Sequence, residues 1–208
     1  MKAQKIQPLE PRKQPRQARS VATVSAVLEG VAQVLETEGF EKLTTTRVAE
    51  RAGTSVGTLY QYFPSKDALL VAVVEAKMAR VDRALSTVFD LPANAPLAEH
   101  VRVMITALIA EKQSRPRLNA ELARQMPRLE RLRLITRTLD RAHGMVRALL
   151  EAHEDETTVT DADLSAWLVV HAVNGMLDGA LLGAPERLAD PRLANAVISH
   201  VLGALGAR

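Results

Sequence analysis

The sequence predicts an all-α protein, and three observations favour this class. Aromatic residues make up only 3% of the 208 residues, and Ala, Leu, Val, Arg and Glu dominate the composition. Apolar residues recur at spacings of three and four rather than two. Because 47% of the chain is apolar, one or two domains of ordinary size can each bury a core.

The first helices follow from the apolar periodicity and from the residues that interrupt it. A helix over about 20–38 ends at Gly39, a residue that favours the left-handed conformation at a helix end. Two short helices are predicted within 44–53 and 54–63, the first capped by Thr45 or Thr46, and Pro64 ends the pair. Each is too short to be stable alone, so we expect them to pack together.

A long helix follows, capped by Ser65 and running to about Phe89. The stretch 90–96 is a loop rich in proline and alanine. Five further helices are predicted near 97–113, 117–126, 128–152, 161–184 and 190–205, separated by breaks that include Met126–Pro127. The total is nine helices.

Several classes of protein are disfavoured by what the sequence lacks. Without cysteine, disulfides and thiolate metal sites are excluded, which suits a reducing cytoplasm. We see no signal-peptide pattern at the N-terminus. The apolar run 166–184 has the length of a membrane span, yet it contains His171, Asn174 and Asp178. Because a carboxylate at the centre of a bilayer is costly, a buried helix of a soluble protein is the favoured interpretation.

The basic charge is concentrated at the front of the chain. Residues 1–66 carry ten Lys and Arg against six Glu, although the whole chain has a net charge of only +3. The first 19 residues hold six of these cations, interleaved with Pro and Gln, and are predicted to be a disordered arm. The arm could be a solubilising tail or a segment that seeks phosphates or a minor groove.

The two short helices have the internal pattern of a helix-turn-helix. Val48, Ala52, Val56 and Leu59 have the spacing of a shared core. Ala49 is small enough for the crossing point of the two helices, and Gly53 falls where the turn requires a positive φ. The second helix of such a motif lies in the major groove of DNA, and here we expect it to begin at Ser55.

Gly57 lies inside this second helix, where glycine costs about 1 kcal/mol relative to alanine. The cost is explained if the helix backbone approaches another surface closely, such as a base or a phosphate. Thr58, Tyr60 and Gln61 would then point outward, where Gln and Thr can contact base edges and Tyr can bind phosphate. Phe63 is expected to fill the core. The alternative is that Tyr60 and Tyr62 simply pack.

With these residues in place, the stretch 39–70, GFEKLTTTRVAERAGTSVGTLYQYFPSKDALL, resembles the tetracycline-repressor (TetR) family of bacterial transcription regulators. The resemblance implies nine or ten helices, three in a DNA-binding head and the rest in a body that binds a ligand and dimerises. The corresponding domains are the arm 1–19, the head 20–66 and the body 67–208. The DNA-binding residues, with Arg47 added as a cation beside the helix start, are Thr45, Thr46, Arg47, Ser55, Val56, Gly57, Thr58, Tyr60, Gln61, Tyr62 and Lys66.

Small residues form ridges on the last two predicted helices. The ridges are Ala172, Gly175, Gly179 and Gly183, and then Ala196, Ser199, Gly203 and Gly206. Glycine inside a helix is tolerated where another helix approaches closely, so the ridges predict a symmetric four-helix interface between two copies. Close packing inside one subunit is the alternative.

A polar stripe lies on the same helix as the first ridge, formed by Trp167, His171, Asn174 and Asp178. Buried polar groups need partners, which either neighbouring helices or a ligand with its waters could supply. If a pocket exists, Met104, Leu108, Met145 and Gln125 are further candidates for its lining.

The sequence contains no catalytic constellation, metal motif or cofactor-binding loop, and we expect neither enzyme activity nor a cofactor. The favoured function is a cytoplasmic homodimeric regulator, most simply a repressor that a small apolar effector releases from a palindromic operator. The alternative is a helix-turn-helix regulator whose body binds only protein partners.

Overall fold

Helices account for all the regular structure in the residues that the computed structural model describes, which are 18–92, 94–131 and 136–207. The nine α-helices in these ranges are α1 Ala18–Glu38, α2 Thr45–Arg51, α3 Val56–Tyr62, α4 Lys66–Ser86, α5 Leu97–Ser114, α6 Pro116–Arg131, α7 Thr136–Ala152, α8 Ala162–Gly183 and α9 Pro191–Ala204. Short 3₁₀ turns occur at Phe40–Lys42, Thr87–Asp90, Glu154–Glu156 and Pro185–Ala189. The all-α prediction is confirmed.

The chain divides into two compact units, one ending at Lys77 and the other beginning at Met78. We call them the head and the body. The division falls inside α4, which is one continuous helix.

The short helices of the head begin at side-chain caps. Ser55 Oγ accepts a hydrogen bond from the Thr58 amide at 3.0 Å, and Ser65 Oγ accepts one from the Ala68 amide at 3.1 Å, as the sequence predicts. At α2 the cap is Thr44, rather than Thr45 or Thr46. Thr44 is extended, at φ −134° and ψ 152°, so its Oγ1 accepts from the Arg47 amide and the next two threonines become the first helical residues.

The core of the head forms between α1 and the helix-turn-helix. Val31, Val48, Leu59 and Phe63 are at most 2% exposed. Gly53 in the turn has φ 62°, a conformation that glycine adopts without strain.

A glycine that the sequence pattern did not single out lets α1 approach α2 closely. A Cβ placed on Gly30 would lie 3.0 Å from the Val48 carbonyl oxygen and 3.2 Å from the Ala52 amide nitrogen. Both neighbours are backbone atoms, which cannot rotate away.

The body has one large apolar core, to which α5, α7, α8 and α9 contribute buried side chains such as Leu97, Ile105, Leu150, Leu177 and Val201. A smaller cluster joins Ala180 and Leu181 to Leu188 in the turn before α9. Asp190 caps α9 by accepting from the Arg192 amide at 2.9 Å. Helix α8 contributes buried side chains to both clusters.

Three expectations about element boundaries need correction. The first helix begins at Ala18, so the predicted arm loses two residues, and its remainder, 1–17, lies outside the described residues. Helix α6 continues through Pro127 to Arg131. Pro127 is exposed, so water can solvate backbone groups on that side of the helix, and one missing hydrogen bond does not end it.

The third correction concerns Gly206, which the sequence pattern places on the small-residue ridge of the last helix. Helix α9 ends at Ala204, and Gly206 follows it with φ 56°, against the Thr158 side chain. It belongs to the end of the helix rather than to its outer face, because its positive φ reverses the chain direction there.

Among the described residues one helix, α8, is long and apolar enough to cross a membrane by length and composition, with a mean hydropathy of 1.3 over its best window. Only 39% of that window is buried within the chain. The remainder leaves an apolar side of α8 exposed.

Candidate nucleic-acid interface

Helix α3 turns one side into the core of the head and the other side outward. Leu59 is 0% exposed, and Phe63, directly after the helix, is 2% exposed, which confirms its predicted role in the core. On the opposite side Tyr60 is 43% exposed, although large aromatic side chains are usually covered. Gln61 and Ser55 are exposed beside it, and Thr58 is half-buried.

Gly57 lies on this outward side with open space around it. A Cβ placed there would meet a single atom within 4 Å, Ser55 Oγ at 3.8 Å, which is an ordinary contact. No packing within the head therefore requires a glycine at this position. The absence of a side chain leaves the backbone of α3 accessible to another molecule.

Hydroxyl groups cluster along the edge that α2 and α3 share. Ser55 Oγ and Thr58 Oγ1 are 2.9 Å apart, and Thr45 Oγ1 lies 3.4 Å from the Tyr60 hydroxyl. Thr46 is exposed next to them. These pairs hold donors and acceptors in fixed positions at the protein surface, an arrangement suited to phosphate oxygens and base edges.

The cations of the interface are held by contacts within the head. Glu38, the last residue of α1, forms ion pairs with both Arg47 and Arg51. The Lys66 ammonium donates to the Phe40 carbonyl oxygen at 2.7 Å and lies 3.8 Å from the centre of the Phe40 ring. Sequence reasoning missed Glu38 and Arg51, because pairs nine and thirteen residues apart fall outside the local i,i+4 rule.

The predicted contact residues differ in accessibility, and Tyr62 is the buried one among them. Tyr62 is 9% exposed, because it follows Leu59 by three residues and shares its buried side of α3. Little of this side chain is therefore accessible for the predicted phosphate contact of its hydroxyl. Val56 is half-buried, as its predicted place in the shared core implies.

The body presents a separate apolar surface on α8. Leu164, Leu168 and Leu182 are 53%, 52% and 42% exposed. Ala172, Gly175, Gly179 and Gly183 are exposed on the same side, and no side chain or neighbouring helix of the described residues lies within 4 Å of a Cβ placed on any of the three glycines. In α9, Ala196, Ser199 and Gly203 are exposed as well, and Gly203 is equally open. Among the described residues, close packing within the subunit is therefore not seen at these seven positions, whereas Gly206 lies against Thr158.

The polar stripe of α8 finds partners within the body. His171 Nδ1 lies 2.8 Å from the Trp167 carbonyl oxygen, and the two rings stack at 4.1 Å. Asn174 donates to the Val170 carbonyl oxygen at 3.0 Å, and Asp178 forms an ion pair with Lys112 of α5. These contacts favour the structural interpretation of the stripe.

Trp167 and His171 are exposed rather than buried, which corrects the expectation of a buried stripe. The core side of α8 is taken by aliphatic residues, so these two rings are left facing outward.

Three of the other pocket candidates, Met104, Leu108 and Met145, belong to the apolar core of the body or pack against it. Met104 is 4% exposed, and Leu108 and Met145 pack against the same apolar cluster. The structure therefore assigns these three to one apolar cluster, of which Trp167 and His171 are not members. Gln125 donates to Glu121 one turn earlier in α6 and does not take part in that cluster.

Within the described ranges, His, Asp and Glu side chains form no group of three that could hold a metal ion. Asp190, the residue that caps α9, has a shifted pKa. Hydrogen bonds donated by the Arg192 side chain and amide hold the pKa of Asp190 below its ordinary value.

Comparison with known proteins agrees with this geometry over both units. Residues 27–73 match the family model of bacterial regulatory proteins of the TetR family. Residues 96–205, more than half of the chain, match a model of the tetracyclin repressor-like C-terminal domain. The nucleoid occlusion factor SlmA of Vibrio atlanticus is 28% identical over 163 residues, which cover 73% of this chain and 80% of that protein.

Further relatives and solved structures extend the similarity. The HTH-type transcriptional repressor KstR of Rhodococcus jostii is 27% identical over 147 residues, 68% of each chain. The fatty acid degradation regulator FadR of Bacillus halodurans has a similar fold at 18% identity, with a TM-score of 0.72 over 94% of this chain and 100% of that one. With a helix-turn-helix whose outer side is open and a helical body that matches throughout, the chain belongs to the TetR family of bacterial transcriptional regulators.

Proposed function

We propose that the protein is a homodimeric repressor that binds a palindromic operator through α3 and is released by a small effector. The observation that carries the DNA-binding part is the outward side of α3, where Gly57 leaves the backbone open between exposed Tyr60 and Gln61. In the major groove, Gln61 would hydrogen-bond a base edge and Thr58 would contact a base or a thymine methyl.

Phosphate contacts position the head in this proposal. We assign them to the hydroxyls of Thr45, Thr46, Ser55 and Tyr60, with Arg47 and Lys66 supplying charge, and the surface position of the hydroxyl pairs supports this. Tyr62 would contribute through its hydroxyl alone, since the ring is buried. DNA binding is assigned to residues 20–66, and effector binding and dimerisation to 67–208.

Dimerisation is supported by the apolar surface on α8 and α9. Three leucines of α8 are more than 40% exposed, beside glycines against which no other described part of the chain packs. Covering such a surface with a second copy removes apolar area from water and gives the glycines a close-packed partner. The two heads of a dimer would then read half-sites about 34–36 Å apart, one turn of the DNA helix.

Effector binding is supported by the composition of the body core. Met104, Leu108 and Met145 bring flexible side chains to one apolar cluster, a lining that suits a small apolar molecule. Trp167, His171, Asn174 and Asp178 remain a second, surface-facing candidate set. An effector that binds one arrangement of α4 better than another would change the separation of the heads, since a ligand acts only through such differential affinity.

The operator proposal is tested by selecting duplexes from a random pool with the purified protein in the cytoplasmic pH range. We expect an inverted repeat to be enriched, and the mobility shift with it to weaken as salt rises from about 50 to about 200 mM. Enrichment of no sequence, or binding that is insensitive to salt, would overturn the proposal.

The effector proposal is tested on the selected operator with a library of small apolar compounds. A compound that raises the melting temperature and releases the DNA supports it, and Met104→Ala should weaken both effects together. If no compound of a broad library raises the melting temperature or releases the DNA, the result favours the alternative function, in which the body binds only protein partners.

A further inference from the structure

Glu38 connects the end of α1 to two arginines of the helix-turn-helix. One of its carboxylate oxygens pairs with the Arg47 guanidinium, and the other is 3.0 Å from Arg51 Nη2. Both arginines lie on α2, one turn apart, and their side chains are 41% and 40% exposed. A single carboxylate therefore engages two cations that solvent, and any ligand, can still reach.

The position of Glu38 gives α1 no benefit of its own. It is the last residue of the helix, where the partial negative charge of the free carbonyl groups disfavours a carboxylate, and the last turn of α1 has no basic residue to offset it. A glutamate at this position is best explained by the two ion pairs.

The charge balance of the head makes these two arginines important for binding a polyanion. Residues 20–66 contain four cations, Lys42, Arg47, Arg51 and Lys66, against five Glu. The Lys66 ammonium already donates to Phe40, and two of the other three cations pair with Glu38. Arg47 and Arg51 thus carry half of the cationic charge of residues 20–66, apart from the six cations of residues 1–19, and the phosphate affinity of the helix-turn-helix depends on whether they are available.

We propose that Glu38 limits the affinity of the head for DNA by competing with backbone phosphates for Arg47 and Arg51. This inference rests on the proposed DNA-binding function. On a random duplex, few other contacts form, so both arginines stay with Glu38 and binding is weak. On the operator, base contacts hold the head in place, and the nearby phosphates can then displace the carboxylate. The result is better discrimination between operator and bulk DNA.

The test compares Glu38→Gln with Glu41→Gln, using a labelled random-sequence duplex and the operator selected by the wild-type protein. Both changes remove one negative charge from the head, but Glu41 is exposed and is not a partner of either arginine. We expect E38Q to bind the random duplex more tightly than E41Q, and with a steeper dependence on salt. The ratio of the E38Q affinity to the E41Q affinity for the random duplex should fall as salt rises from about 50 to about 200 mM. The fall should be roughly three- to fourfold for each additional phosphate that E38Q neutralises.

The outcomes separate this inference from the proposed function. Equal binding of E38Q and E41Q to the random duplex overturns the role of Glu38, even if the wild-type protein selects an operator. Weaker binding of E38Q to the operator, without tighter binding to the random duplex, overturns it too, because Glu38 would then position the arginines for a specific contact. A failure of the wild-type protein to select any sequence counts against the proposed function, while the random duplex still reports on Glu38.

Two further variants protect the interpretation from effects on folding. Glu38→Asp keeps the charge, but its side chain is too short to engage both guanidinium groups. Its affinity for the random duplex should therefore lie between those of the wild-type protein and E38Q. In an R47Q/R51Q background, E38Q should bind the random duplex as E41Q does. If E38Q still raises the affinity above that of E41Q there, the arginines are not the groups that Glu38 controls.

Discussion

At the scale of single residues, the most informative position is one that lacks a side chain. Gly57 weakens a seven-residue helix, and the head derives no packing from it, since a Cβ would meet only Ser55 Oγ at 3.8 Å. The sequence alone could identify the cost of this glycine. It could not show that the surrounding space is open, because that depends on how α2 and α3 pack.

We expect Gly57→Ala to leave the fold intact and raise the free energy of unfolding by roughly 0.5–1 kcal/mol, because alanine is the better helix former. The methyl group of the new alanine should weaken operator binding at least tenfold, because it would lie where the DNA approaches. Chemical denaturation and mobility shift measure the two effects. Gly144→Ala in α7, another exposed helical glycine with open surroundings, is the control: it should stabilise the protein without changing DNA binding. Unchanged operator affinity in G57A would remove the main support for the α3 interface.

At the scale of helices, Gly30 has the opposite character, because the space beside it is occupied. A Cβ there would lie 3.0 Å from a backbone oxygen of α2, and neither helix can move without disturbing the core around Val31 and Val48. We expect Gly30→Ala to lower the free energy of unfolding by about 1–3 kcal/mol, as overpacking does. Denaturation of the G30A variant checks this, and a stability equal to wild type would mean that α1 and α2 can separate at little cost.

The start of α9 depends on a carboxylate, so its contribution to stability depends on pH. The pKa of Asp190 is lowered in the folded protein by its bonds with Arg192, whereas in the unfolded chain it is about 3.9. The stabilisation is therefore complete above the unfolded pKa and is lost as pH falls through the folded pKa. Asp190→Asn keeps a capping side chain without the charge, so its melting temperature should fall less than that of the wild-type protein as the pH is lowered from above the unfolded pKa to below the folded one. Parallel acid curves for the two proteins would show that the Arg192 bonds are not maintained in solution.

The helices themselves were largely predictable, because apolar spacing and capping residues are local. Ser55, Gly53 and Pro64 mark the turn region of the head, and the structure places the element boundaries beside them. The errors arose where tertiary context prevails over local preference. Helix α6 passes through Pro127, and Thr44 takes the cap from its two neighbours.

The candidate sites were less predictable than the helices. The pairing of Glu38 with two arginines, and the exposure of Trp167, depend on which face of each helix the rest of the unit covers.

At the scale of the whole molecule, α8 carries two different surfaces. One side, with Val173 and Leu177, belongs to the core of the body. The other exposes leucines beside open glycines, a combination that is costly for an isolated chain in water and favourable when a second copy covers it. The dimer is required by the proposed function as well, because two linked heads bind two half-sites far more tightly than one head binds one.

We therefore predict that Gly179→Glu produces a folded monomer. The new side chain has open space around it in the single chain, so the body should fold normally, but the charge would lie inside the contact between two copies. Linking two binding modules typically raises the overall affinity by about 10²–10⁴-fold, and the variant should lose operator affinity by that factor. Analytical ultracentrifugation gives the mass, and mobility shift gives the affinity.

A duplex with a single half-site distinguishes loss of the dimer from damage to the head. The wild-type protein and G179E should bind it equally weakly, because each head then acts alone. Gly144→Glu introduces the same charge at an open glycine of α7 and should remain dimeric with full operator affinity. A dimeric G179E protein would place the subunit contact elsewhere, and the exposed leucines of α8 would then need a different partner.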